Sequence, residues 1–226
     1  MRTSHIMVLS RGIVLLCIVL LLSSCQGSAV TGTQSVSLES VDTISIENGS
    51  TPVVIESAKE LKSMEVSITA YDGKPVINID QDEQLLKVSM NNHAFRIFNM
   101  MNKPSIQIRV PMDYTGNLQV ISSSGRVTAN HIRSDLSIEG KSGSIQLNMD
   151  NIRSNLQIAS TSGNVTMNLG DKNPDVNWVL KSKSGRRSHA LDLKNIIEER
   201  HSSRGMTGKG THYVEIETTS GNIAVN

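Results

Sequence analysis

Residues 118–127, 136–145 and 156–165 read LQVISSSGRV, LSIEGKSGSI and LQIASTSGNV, three phrases that superimpose position by position. Each opens on alternating aliphatic residues (Leu118 and Val120, Leu136 and Ile138, Leu156 and Ile158) and crosses a Ser-Gly pair. Each then resumes on Val127, Ile145 or Val165. Period-two alternation is the pattern of a strand with one buried face. Working outward, a fourth copy begins at Trp178 and reaches Ser184-Gly185, and a fifth, VEIETTSGNI, occupies residues 214–223. A second phrase alternates with the first: NHIRSD at 130–135 and DNIRSN at 150–155. Each unit therefore contains two turns and two short strands. Asn and Asp side chains suit one turn, and glycine, free to take φ > 0, suits the other.

Stacked units of this kind bury ladders of Leu, Ile and Val that no single unit could bury alone. The expected fold is all-β, a single-stranded parallel β-solenoid, β-helix-like, with irregular N-terminal strands. Those earlier strands are read at Val41 to Ile46, Val53 to Ile55, Met64 to Ile68, Val76 to Ile79, Leu85 to Val88 and Ile106 to Val110. Turns at Asn48-Gly49, Asp72-Gly73 and Pro111 to Gly116 separate them. One domain is expected over 41–226. Its pattern lapses at 186–210, an insertion in which Asp192 to Arg200 carries weak helical spacing and is read as a short helix or loop.

The N-terminus has a separate meaning. Arg2 and Arg11 precede GIVLLCIVLLL at residues 12–22, an apolar run of signal-peptide length and too short to span a bilayer as a helix. It ends in Leu22-Ser23-Ser24-Cys25, which resembles the lipobox of bacterial lipoproteins. Residues 1–24 are thus expected to be a lipoprotein signal peptide and Cys25 the lipid attachment site, placing the protein outside the cytoplasm on the bacterial cell membrane. Residues 25–40, rich in Gly, Ser, Thr and Gln, read as a flexible tether. Cys17 lies inside the apolar run, so no disulfide framework is expected.

Composition narrows the function. Taking Arg2 and Arg11 from the 22 basic residues leaves 20 against 21 acidic ones. A nucleic-acid partner is not expected without a basic excess. Aromatic residues make up 3% of the chain, too few for stacking platforms or a long sugar groove.

The Ser-Gly repeat, the Ile-Arg-Val-Pro111 lead-in and the leader together resemble the bacterial putative-adhesin family of β-strand-repeat envelope proteins. This LiaG-like domain of unknown function is matched over about Val41 to Asn226. The resemblance implies a cell-envelope protein associated with stress response and supplies no catalytic residues.

No nucleophile elbow G-x-S-x-G and no H-E-x-x-H occurs, and Gly208-Lys209-Gly210-Thr211 fails the phosphate-loop pattern because Gly210 stands where Ser or Thr is needed. No metal, cofactor or catalytic residue is expected. The candidate anion-binding residues are Lys181, Lys183, Arg186 and Arg187, four cations within seven residues, although a solvated solenoid face is the simpler account of them. The apolar cluster Phe95, Ile97, Phe98, Met100 and Met101 reads as a cap over the first rungs or a partner site. The leading expectation is a non-catalytic, adhesin-like binding or structural module whose partner is an anionic envelope polymer or another envelope protein. The alternative is a carbohydrate-active β-helix enzyme. That reading needs acidic residues converging on one face, whereas Gln119, Ser137 and Gln157 are neutral.

Overall fold

A computed structural model of the chain describes residues 29–71, 77–90 and 104–226. The leader with Cys25, the Asp72-Gly73 turn and the apolar cluster of residues 95–101 lie outside the described residues. Within them the chain is all strand and turn. In chain order come β1 (Ala29–Val36), β2 (Thr43–Gly49), β3 (Val53–Ala58), β4 (Met64–Tyr71), β5 (Ile77–Asp82), β6 (Leu85–Met90) and β7 (Ser105–Pro111). The repeats supply β8 (Asn117–Ser122), β9 (Val127–Asn130), β10 (Asp135–Gly140), β11 (Ile145–Met149), β12 (Leu156–Ser160) and β13 (Val165–Leu169). The remainder are β14 (Val176–Ser182), β15 (Arg187–His189), β16 (Lys194–Glu198), β17 (Ser202–Thr207), β18 (His212–Thr218) and β19 (Ile223–Val225).

Each Ser-Gly turn carries the chain from one sheet to the other, so consecutive strands such as β10 and β11 face each other across the core. The first sheet has the order β1-β4-β7-β3-β9-β11-β13-β19-β15, and the second β16-β17-β14-β18-β12-β10-β8-β2-β6-β5. Parallel pairing places Leu118, Leu136, Leu156, Val214 and Trp178 in register, all at most 2% exposed. Val127, Ile145, Val165 and Ile223 form the facing ladder, also at most 2% exposed. Burying a side chain of this size stabilises by roughly 1.5–3 kcal/mol. Trp178 carries the one polar atom of its ladder, and its Nε1–H donates to Thr207 Oγ1 at 2.8 Å.

The all-β, repeat-built expectation stands, but both sheets are mixed where the repeats predict a wholly parallel stack. The pairs β8/β10/β12/β18/β14 and β9/β11/β13/β19/β15 are parallel. The pairs β14/β17, β16/β17, β5/β6, β1/β4 and β4/β7 are antiparallel. A parallel stack ends in strands with unsatisfied backbone groups, and chain that folds back on such a strand covers the edge. The early strands read at Val53 to Ile55 and Ile106 to Val110 are part of the parallel ladder, with β3 between β7 and β9.

Two local expectations are corrected. Asp192 to Arg200 contains no helix; it contributes β16, which pairs with β17 around a turn closed by Glu199 N–H to Ser202 O at 2.8 Å. Leu191, partly buried, and Leu193, 7% exposed, anchor the chain just before β16, with Leu193 seated against Gly205. Within the stretch read as tether, residues 29–36 form β1. There Thr31 and Thr33 meet Thr69 and Ser67 of β4 through hydroxyl pairs of 3.2 and 2.9 Å.

The repeats also stack out of chain order. The last unit, β18 and β19, lies between β12/β13 and β14/β15, and an early one, β2 and β3, lies between β6/β7 and β8/β9. The glycine ladder follows this spatial order. A Cβ on Gly143 would come within 2.0 Å of Gly125 O, one on Gly163 within 2.0 Å of Gly143 O, and one on Gly221 within 1.9 Å of Gly163 O. The expectation that these glycines serve a positive φ is therefore revised. Among the described glycines positive φ occurs at Gly49, Gly208 and Gly210, whereas the Ser-Gly glycines make room for the backbone of the next turn.

Candidate functional site

Side chains alternate in and out along the turns that leave the first sheet. In the phrase at 130–135 Ile132 and Ser134 are buried, and in the phrase at 150–155 so are Ile152 and Ser154. Ser134 Oγ donates to Tyr114 O at 2.8 Å, which pins the turn from beneath. Alternation then directs His131, Arg133, Asn151 and Arg153 outward, and all four are exposed. Parallel stacking brings the two turns to one corner of the molecule, and the turn that follows β3, itself alongside β9, adds Lys59. Together they line a groove of about 320 Å³, with Ser57, Met112 and Asp150 completing its wall.

The electrostatics of this groove are one-sided. Asp150 is the one carboxylate among its lining residues, and its Oδ2 lies 2.8 Å from His131 Nδ1. Among the described residues no ion pair engages Lys59, Arg133 or Arg153. His131 holds φ +55, a strained value for a residue with a Cβ, and its N–H donates to Asn148 O at 2.8 Å. Two guanidiniums and an ammonium thus line one concave surface, and a guanidinium fork is able to match a phosphate or carboxylate with two parallel hydrogen bonds.

The cations expected at residues 181–187 do not form one patch. Lys181, on the outer face of β14, is 2.5 Å from Glu215 Oε1 and 3.8 Å from Glu217 Oε2. Its hydrogen bond to Glu215 raises the Lys181 pKa and holds the Glu215 carboxyl below its ordinary value. Arg187 is committed to structure. Its Nε–H donates to Ser203 Oγ at 3.0 Å and its Nη2–H to Glu199 O at 3.0 Å, tying the β16–β17 hairpin to β15. Lys183 and Arg186 remain exposed in the β14–β15 turn. The signal for the better cluster was present in the sequence as an arginine at the same offset in two phrases twenty residues apart, read there as a turn residue.

The second sheet's outer face carries acids that the neutral positions Gln119, Ser137 and Gln157 did not suggest. Glu139 and Glu217, on either side of Ala159, line a cleft of about 440 Å³, and both are exposed. Among the described residues no group of three or more His, Cys, Asp or Glu is placed to hold a metal ion.

This architecture of two facing, mostly parallel sheets with stacked Ser-Gly turns defines a class of β-strand-repeat domain. The chain belongs to the Toastrack DUF4097 family, which matches it over residues 41–135 and again over 117–226. The overlap of the two matches falls on the first regular repeats. Among solved structures, the chain is similar to a "putative cell adhesion protein" from Clostridium sporogenes, at 16% identity and a TM-score of 0.65, covering 88% of this chain and 99% of that one. A "putative adhesin" from Bacteroides fragilis shares 12% identity, with a TM-score of 0.39 and coverage of 88% and 97%. No curated protein matches the chain.

Proposed function

We propose that this protein is a non-catalytic, adhesin-like binding module, exported and held at the outer face of the bacterial cell membrane through lipid on Cys25, which grips an anionic envelope polymer in the groove at Lys59, Arg133 and Arg153. The single observation that carries the ligand reading is the concave cation cluster in which the one carboxylate is already engaged by His131. The leader motif supports export and anchoring, and the cell-adhesion name of the Clostridium protein supports a contact role. A link to envelope stress response rests on the family resemblance.

The carbohydrate-active alternative would rest on Glu139 and Glu217. Both are exposed on the outer face of the second sheet, on either side of Ala159.

The test is retention of the full chain on a stripped envelope preparation, comparing wild type with Arg133→Gln/Arg153→Gln and with Lys183→Gln/Arg186→Gln. Loss of retention in the first variant alone is expected. Wild-type retention of that variant would overturn the groove as the site. Intact-mass measurement of membrane fractions, with Cys25→Ala released and lacking the diacylglyceryl mass, tests the anchor separately.

A further inference from the structure

We infer that the ligand is a hydroxylated polyanion, a chain of hydroxyl-bearing units with anionic groups at intervals, and that the outer face of the first sheet reads its hydroxyls. This inference rests on the anion reading of the groove and adds the face beside it. Over β9, β11 and β13 the outward residues form two in-register rows, Thr128, Gln146 and Thr166 in one and Asn130, Asn148 and Asn168 in the other. The asparagine row is continued by Asn226. No outward side chain of these strands is charged.

The asparagine row is preorganised. Asn148 Nδ2–H donates to Asn130 Oδ1 at 2.8 Å, Asn168 Nδ2–H to Asn148 Oδ1 at 2.8 Å, and Asn226 Nδ2–H to Asn168 Oδ1 at 2.9 Å. An amide has two N–H donors and two acceptor lone pairs, so Asn130 and Asn168 each keep at least one donor and one acceptor for a ligand, while Asn148, whose Oδ1 also accepts from Gln146 Nε2–H at 3.3 Å, keeps one donor. The rows adjoin the groove, because Asn130 directly precedes His131 and the His131 N–H is bonded to Asn148 O. A chain with its anion at Arg133 and Arg153 therefore has fixed, uncharged donors and acceptors beside it, repeated at the strand spacing of about 4.8 Å. Hydroxyl groups both donate and accept and so use both halves of such a surface. A bare polyanion offers acceptors alone, and an apolar chain offers neither.

The test titrates the full chain with poly(glycerol phosphate), polygalacturonate and inorganic polyphosphate. Wild type is compared with Thr128→Val/Gln146→Met/Thr166→Val, which keeps β-compatible side chains and the hydrogen bonds between the asparagines, removing only the Gln146 bond to Asn148. The variant is expected to bind poly(glycerol phosphate) about tenfold more weakly, the equivalent of one or two lost hydrogen bonds, with polyphosphate binding unchanged. Unchanged polyphosphate binding also reports an intact groove. The same selective loss on polygalacturonate supports the inference with carboxylate as the anion. Equal affinity of wild type and variant for both hydroxylated polymers overturns the role of the face and leaves the groove reading standing. Failure of the wild type to bind any of the three overturns both.

Discussion

Gly143 illustrates how a repeat can be legible while its cause is not. Its regular spacing marks a turn, but the obstacle to a side chain is the Gly125 carbonyl of the turn stacked against it, 2.0 Å from where a Cβ would lie. Gly143→Ala should therefore destabilise by about 1–3 kcal/mol through overpacking against backbone. On Gly140 an added Cβ meets the flexible end of Ile145 at 3.2 Å and otherwise makes ordinary contacts with Ser160 Oγ and Ala159 O at 3.7 and 3.8 Å, so Gly140→Ala should be near neutral and urea midpoints should separate the two variants. Tyr114 makes a second prediction. Burial, with the Asp42 charge adding to it, pushes its phenol up to about 12 from 10.0. The folded state holds the proton more tightly than the unfolded chain, so this contribution is complete below pH 10 and is lost as pH rises towards 12. Stability measured from pH 9 to 12 should fall less steeply in Tyr114→Phe than in wild type. The groove was half legible in the same sense. Arg133 and Arg153 share an offset that alternation turns outward, but Lys59 joins them only because β3 pairs with β9, a long-range contact with no local signature.

Among the elements, period-two alternation located the strands from Val41 to Val110 and throughout the repeats, because each has one face in the core. It failed where one strand's own signal is weak. Every residue of β16 is exposed, with Ile196 and Ile197 at 54% and 55%, so no buried face imposed a period and adjacent isoleucines imitated helical spacing. A bulge between Lys194 and Ile197, with Asn195 at φ +54, interrupts the alternation further. Beyond the β14–β17 pairing, Arg187 ties the hairpin's turn to β15 by binding Ser203 Oγ and the Glu199 carbonyl. Arg187→Gln should speed hydrogen exchange of the amides from 198 to 204 while leaving those of β10 and β12 unchanged. Equal protection in variant and wild type would show that the β14–β17 pairing alone suffices.

For the whole molecule, the order of stacking is the property that no local pattern encodes. Repeats at 156–169, 176–189 and 214–225 look equivalent, yet the last lies between the other two, so both neighbours depend on it. Deleting residues 211–226 should therefore abolish a single cooperative unfolding transition, where removal of a terminal rung would only lower its midpoint. The same architecture brings the two arginine turns to one corner and sets the uncharged asparagine face beside them, on which the functional account depends. Hydrogen–deuterium exchange of the full chain with and without poly(glycerol phosphate) tests that account most directly. Added protection is expected at residues 131–134 and 150–154, and protection confined to the β14–β15 turn at 183–187 would contradict a ligand site in the groove.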